Sequence, residues 1–386
     1  MIVRQLRPED AREHEKVASQ AFVFGFDADD PNLTLPSGYM LGAFLDDNKT
    51  LMADFEVEDK YCNFGNGELL CACIGGVASK PEYRGRGAIK AVYAELFKNS
   101  RWDISILYPF SNAYYRKFGY ESMGMAMEFV VPFSTFSVFP RNSEAVIYEG
   151  GDKHQVLDIY NAYAKKNNLA FLRDENMMGE FSSKPYSNKR YTYTWQDRAL
   201  ITFSPDRAER TINVDEICYL DKEALVKILG FMRNFEGNYA TIDFKRIPIS
   251  SPIVHLISDE RWTKRYASSM GAARILNVEN VLKTHSYPAE KGGFAVQVED
   301  CIESNNSVFE VEYENGTAVS VKRNPDAKPD VKPDVKLNIN AASIVLLVGV
   351  NGKEELEYMN GAEILNDNPD FFRAVYKNEA FFRDGF

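Results

Sequence analysis

The sequence predicts an α/β fold of the α+β kind, with mixed sheets in tandem domains. Three observations carry the prediction. Antiparallel strand signals crowd the first 80 residues and then give way to a strand–helix–strand unit over 69–108. A looser copy of that order follows over 136–285, and the last hundred residues open on two alternating strands. A chain of 386 residues exceeds one ordinary core, and the pattern divides it into 1–135, 136–285 and 286–386.

In the first region, residues 2–6 read as a strand. Pro8 opens a helix, because its fixed φ suits a first turn whose N–H has no partner anyway. Val17, Ala18, Ala21 and Phe22 give that helix an apolar stripe. Residues 39–45 form a strand, Asp46-Asp47-Asn48 a turn, and 51–57 the return strand. Residues 69–78 are a buried strand carrying Cys71 and Cys73 on one face as core thiols. Ile89, Val92, Tyr93, Leu96 and Phe97 recur at helical spacing, and residues 104–108 make the next strand.

The second region repeats the order. Val156, Ile159, Tyr160 and Tyr163 mark a helix, 199–203 and 217–219 a strand pair, and Asp221 is the N-cap of a helix bearing Leu225, Ile228, Leu229 and Met232. No glycine-rich turn separates Tyr219 from Asp221, so this region reads as a degenerate repeat without a phosphate cradle. In the third region Phe294, Val296 and Val298, then Phe309, Val311 and Tyr313, alternate as strands. The proline- and charge-rich insert over 325–336 cannot pack a core and is expected as an exposed loop. The apolar run 344–348 suits a helix or a strand, and 370–376 a final helix.

Composition narrows the function classes. Hydrophobic residues make up 45% and charged residues 26%, as in globular proteins, and the net charge of −11 disfavours nucleic acid as a partner. The same charge is compatible with a cationic substrate, although acidic balance is also common among cytosolic proteins. The first residues lack the apolar core of a signal peptide, and no apolar run is long enough to span a bilayer, so a cytoplasmic location away from membranes is expected. Five scattered cysteines and four distant histidines form no disulfide framework or zinc motif. No His-Glu-x-x-His run, Gly-x-Ser-x-Gly elbow or Walker loop occurs, so no metal is expected.

What does carry chemistry is the junction Val77-Ala78-Ser79 … Arg84-Gly85-Arg86-Gly87-Ala88, between a strand and a helix. The first N–H groups of a helix have no intrahelical partner and form an anion site. Gly85 and Gly87 allow close approach of the backbone, and Arg84 and Arg86 add forked cationic donors. The same five residues also suit a tight turn with surface arginines; the flanking strand and helix favour a pyrophosphate cradle.

That junction, followed by Tyr115-Arg116-Lys117-Phe118-Gly119-Tyr120, resembles the acetyl-CoA-dependent N-acetyltransferases of the enhanced intracellular survival family within the GNAT superfamily. The superfamily signature Arg/Gln-x-x-Gly-x-Gly/Ala lies over Arg84 to Ile89, with Ile89 departing from glycine or alanine, as it does in that branch. The resemblance implies a catalytic GNAT domain, a degenerate second one and a sterol-carrier-like C-terminal domain, with acetyl-CoA as co-substrate. It places Val77, Ala78 and Ser79 along the pantetheine arm, Asn112 facing the cofactor, and the chain in a homo-oligomer, a hexamer.

Acetyl transfer from a thioester to an amine moves two protons. A tyrosine is a sensible donor to the departing thiolate, and the motif position makes Tyr115 that acid, with Tyr114 and Tyr120 as core. The family's base is a terminal main-chain carboxylate, which falls on Phe386. A free α-carboxylate is a feeble base, strengthened by burial. The segment from Phe22 to Asp30, aromatic beside acidic, borders the acceptor channel in this superfamily and suits a polyamine, aminoglycoside-like compound or lysine; it also suits a helix end with a solvated loop. The rival is a non-enzymatic acyl-CoA-sensing or lipid-binding protein.

Overall fold

The structure, a computed structural model, describes residues 1–22, 27–99, 101–178, 181, 184–257, 261, 263–324 and 332–386. Two stretches singled out above fall partly outside these: 23–26 of the aromatic–acidic segment and 325–331 of the proline-rich insert. The chain forms two compact units. One comprises Met1–Met123, Gly271–Asn378 and Asp384–Phe386; the other comprises Gly124–Met270 and Glu379–Arg383. The mixed α/β class is as expected.

In the first unit the elements are β1 (Ile2–Gln5), α1 (Ala11–Ala21), β2 (Tyr39–Phe44), β3 (Leu51–Phe64), β4 (Gly67–Ser79), α2 (Ala88–Leu96), β5 (Ile104–Leu107), α3 (Asn112–Tyr115) and β6 (Glu121–Ser122). The sheet runs β1-β2-β3-β4-β5, then Ala272–Ile275, then β6. β1 to β4 are an antiparallel meander, whereas β4 and β5 are parallel, joined by α2 as crossover. The alternation in β2–β4 sends Leu41, Ala43, Ala53, Phe55, Val57, Ala72 and Ile74 to one face, where they pack against Ala88, Ile89, Val92, Tyr93 and Leu96 of α2. On the opposite face Val17 of α1 packs with Met40, Phe44, Leu51 and Ala78.

β3 and β4 are longer than the residue pattern suggested. The extension of β3 past Val57 is polar, and its charges are satisfied locally. Asp59 accepts from Trp102 Nε1 and from Arg101, each at 2.7 Å, and Lys60 pairs with Glu58 at 2.7 Å. Cys71 and Cys73 are buried, as expected of core thiols.

A second sheet in this unit runs Thr317–Asn324, Ser307–Glu314, Gly292–Glu299, Val335–Asn338, Ala362–Ile364. The ambiguous apolar run is helical, Ile339–Leu347, started by the Asn338 side chain accepting from Ala341 N at 2.9 Å. Its Ser343 Oγ accepts from Ile275 N at 3.1 Å, which ties this part to the first sheet. Arg274, on Ala272–Ile275, is 1% exposed. Its guanidinium lies 2.6 Å from the Asp300 carboxylate, 3.9 Å over the Phe97 ring, and donates to the Phe118 carbonyl.

The second unit has a seven-stranded sheet, in the order Lys264–Ser269, Met125–Pro132, Thr241–Pro248, Thr211–Tyr219, Ala199–Asp206, Tyr191–Trp195, Val146–Ile147. Thr211–Val214 pairs in parallel with Thr241–Phe244 across the helix Lys222–Met232, the same hairpin-then-crossover order as β3-β4-α2-β5. Here, however, the Asp221 carboxylate accepts from Ala224 N at 2.9 Å and occupies the helix start. A carboxylate at that position repels an anion. Beyond the parallel pair, Glu216 is held by Arg173 at 2.8 and 3.0 Å and by Arg383 at 3.5 Å.

Breaking the Arg274–Asp300 pair strands a buried carboxylate, so R274M is expected to cost about 3–5 kcal/mol in denaturant unfolding, and R274M/D300N to recover a substantial part.

Candidate active site

The site begins with a fault in the ladder between β3 and β4. Asp54 pairs with Ala78 but Glu56 pairs with Gly75, so β4 carries an extra residue around Gly76 and Val77. Gly76 takes φ +60, a left-handed value suited to glycine. The bulge bends β4 away from β5, whose parallel pairing covers only Cys71–Ile74 against Ile104–Leu107. Past those residues the strands part, and Val77, Ala78 and Ser79 line the opening.

The opening continues into a cleft of about 1160 Å³ along α2. Gly85 and Gly87 have φ of +78 and +79, and no atom lies within 4 Å of where a Cβ would stand on either. Gly87 is the N-cap of α2 and supplies no side-chain cap. The first N–H groups of α2 therefore face an open, glycine-floored hollow, the shape and polarity that a pyrophosphate requires. Lys90 and Lys117 border the cleft, together with Phe97, Tyr114 and Phe118. Coenzyme A, with its phosphates at one point and an aromatic base at another, fits this lining.

Most of the residues expected here are present. Val77, Ala78, Ser79, Arg84, Gly85, Gly87 and Ala88 line the cleft. Arg86 does not; its guanidinium lies 5.2 Å over the Tyr83 ring. Asn112 is exposed at the start of α3 and is not part of the lining.

α3 is started by Ser111 and ends on Tyr115, which is 3% exposed. Its ring meets those of Tyr114 at 5.2 Å and Phe110 at 5.4 Å, both edge-on. Burial, and secondarily Tyr114, pushes the Tyr115 phenol well above its ordinary value, so it keeps its proton at any working pH. Tyr120 is core, with its hydroxyl 2.7 Å from Ser105 Oγ. Tyr114, expected in the core, is half-buried and borders the cleft.

Phe386 lies at the parting of β4 and β5. Its ring stacks on Tyr108, just past β5, at 5.1 Å and 23°, and the Tyr108 hydroxyl donates to the Asp384 carbonyl at 2.9 Å. A Cβ on Gly75 would stand 3.4 Å from the Phe386 carbonyl oxygen. The Phe386 main chain therefore passes within ordinary van der Waals reach of this position.

Reading by motif missed three residues on this face: Glu56, Asp54 and His14. Glu56, half-buried, is the cross-strand neighbour of Gly75, and its carboxyl is pushed up chiefly by burial. Asp54, two residues earlier on the same face, is fully buried and meets His14 Nδ1 of α1 at 2.7 Å. Burial works against the imidazolium, but the Asp54 hydrogen bond and charge, with Glu15 and Glu56, outweigh it and leave His14 above its ordinary value. The signal was present in the sequence: Asp54, Glu56 and Glu58 alternate with Ala53, Phe55 and Val57, so acids fill one face of a strand whose other face is core.

Residues 3–123 match the family described as an acetyltransferase (GNAT) domain. Among solved structures, the chain superposes on a conserved protein of unknown function, a probable N-acyltransferase, from Enterococcus faecalis V583, with TM-score 0.81 and 19% identity over 100% of this chain and 99% of that one. A GCN5-related N-acetyltransferase from Anabaena variabilis ATCC 29413 gives 0.83 and 17%, and Eis1 from Mycobacterium abscessus 0.79 and 18%, each over 100% of both chains. At such identities the likeness is one of fold. Compared with curated protein sequences the chain has no significant match. The segment that builds the cleft is thus a GNAT-type acetyltransferase domain, and domains of this type use acetyl-CoA as co-substrate.

A valine at Gly87 would fill the hollow and strain a left-handed residue. G87V is expected to weaken coenzyme A binding, measured calorimetrically, by about 10–100-fold, the loss of one or two charge-assisted hydrogen bonds.

Proposed function

We propose that the chain acetylates a primary amine (a polyamine, an aminoglycoside-like compound or a lysine side chain) by direct attack of the amine on the thioester of acetyl-CoA. The observation that carries this reading is the approach of the Phe386 main chain to Gly75, beside the parting of β4 and β5 and across the ladder from Glu56, whose carboxylate accepts from the Gly38 backbone. A main-chain carboxylate there, with an acidic residue one strand away, suits an ammonium on its way to becoming a nucleophile.

Acetyl-CoA supplies the activated acyl group. The N–H groups at the start of α2, with Arg84, would hold its phosphates, and the free edge of β4 at Val77–Ser79 would hold its arm. Tyr115 keeps a proton on its phenolic oxygen and is the donor for the departing sulfur. Its pKa, pushed up by burial, keeps it loaded. With Phe386 as final residue, its α-carboxylate would take a proton from the amine nitrogen, and the apolar stack on Tyr108 would shield it from water and strengthen it as a base. The second unit, with Asp221 capping where a phosphate would sit, is consistent with a degenerate GNAT repeat, and the part after 286 with a carrier-like domain. A hexamer fits the same reading.

The untagged protein should release thiol from acetyl-CoA with at least one class in a panel of polyamines, aminoglycosides and lysine peptides; silence with every class would sink the reading. Y115F preserves the ring contacts and removes the proton, so kcat should fall about 10²–10⁴-fold with coenzyme A binding unchanged. Adding Gly-Ser after Phe386 turns the carboxylate into a peptide; a kcat equal to that of the unextended chain would show that the carboxylate is not the base.

A further inference from the structure

An amine that arrives as an ammonium carries three protons on nitrogen and leaves as an amide with one. As the C–N bond forms and the C–S bond breaks, one proton ends on the coenzyme A sulfur and the other must reach solvent. Tyr115 and the Phe386 carboxylate account for the exchange at the reacting atoms. Tyr115 is not suited to the exit, being buried and holding its proton tightly, and a proton taken by the Phe386 carboxylate has still to be passed on.

The α1 face holds a group suited to that exit. His14 gives Nδ1 to Asp54 Oδ2 at 2.7 Å. Its Nε2 makes no hydrogen bond among the described residues, and the side chain is 11% exposed. Asp54 is wholly buried and its Oδ1 has no partner among the described residues, so it stands as a fixed acceptor behind the ring. Asp54 and Glu56 are i and i+2 on one strand face, about 7 Å apart along β3, and Glu56 is opposite Gly75, where Phe386 lies. The order along the face is thus Phe386, Glu56, Asp54 with His14.

We propose that His14, oriented by Asp54, is the proton exit of the acceptor side: it takes the ammonium proton through Glu56 or water onto Nε2 and passes it to solvent. This rests on the amine-acetylation reading above. A ring held at Nδ1 by a carboxylate presents Nε2 as the basic nitrogen. The groups that face it are Asp54 and Glu56 from β3, Lys80 at the end of β4 and Glu15 of its own helix. Lys80 is itself paired with Glu13 at 2.7 Å, and Asp10 in the turn before α1 with Arg4 at 2.6 Å. His14 is here a positioning residue for the proton, not a group that touches acetyl-CoA.

The test is H14Q, whose amide can still donate to Asp54, assayed with amines of graded basicity at neutral pH. Expected is a loss of kcat/KM of about 10–100-fold for ethylamine-like acceptors that arrive charged, shrinking towards none for 2,2,2-trifluoroethylamine, which arrives neutral. An equal loss for both, or no loss for either, overturns the proposal while leaving the acetyltransferase reading in place. No turnover by the unaltered protein with any amine overturns that reading and the proposal with it. An independent arm uses the four histidines as ring-labelled NMR probes. The His14 resonance, identified by its loss in H14Q, should titrate above about 6.5 and move down in D54N. A midpoint at or below the ordinary value overturns the proposal even if the activity pattern holds.

Discussion

The constraint on which the rest depends is the short parallel pairing of β4 with β5. Four residues of each strand are hydrogen-bonded, and the bulge around Gly76 then turns β4 away. A continuous ladder would satisfy every backbone group of both strands and leave nothing to bind with. The parting leaves an edge at Val77–Ser79 and a gap that ends at the bare N-terminus of α2. Cleft, anion hollow and the place taken by Phe386 all follow from this one interruption.

Holding such a gap open needs support from elsewhere in the chain. Within the first unit it comes from residues far along the sequence. Ala272–Ile275 completes the sheet beside β5, and Arg274 on it braces the end of α2 through Phe97 and the Phe118 carbonyl. The helix Ile339–Leu347 packs behind, and Asp384–Phe386 returns to the parting. The second unit offers a contrast within one chain. It has the same order of hairpin and crossover, but a capping carboxylate stands where the first unit has glycine, and buried ion pairs of Glu216 lie beyond the parallel strands. One strand–helix junction is left open and the other is a closed cap because of Gly87 and Asp221.

The two faces of the first sheet divide the labour. The α2 face is apolar and gives the domain its stability. The α1 face carries Asp54 and Glu56 at buried or half-buried positions, a costly arrangement that a purely structural strand would avoid. His14 offsets that cost for Asp54, and Glu56, held by the Gly38 backbone, stands across the ladder from Gly75, which the Phe386 main chain approaches.

The sequence by itself determined the elements and the phosphate hollow. Periodicity is local, so β1, α2 and the helix after Asp221 were legible to within a residue or two, whereas Pro8 opens a 3-10 turn and α1 itself starts three residues later, at Ala11; Gly85 and Gly87 announce a backbone that takes left-handed values. Its motif singles out Tyr115, which is buried beside Tyr114 and is not itself part of the cleft lining. Strand ends past Val57 were not legible, since Asp59 there is satisfied by Arg101 and Trp102, more than forty residues further along the chain. Only the tertiary structure decided that Arg86 turns to Tyr83, that Asn112 stays outside the cleft, that the run at 339–347 is helical, and that Glu56, Asp54 and His14 stand on one face with Phe386. The physical reason is reach: a strand or helix signal is written within ten residues, whereas His14 meets Asp54 and Gly75 meets Phe386 only when the sheet has closed around them.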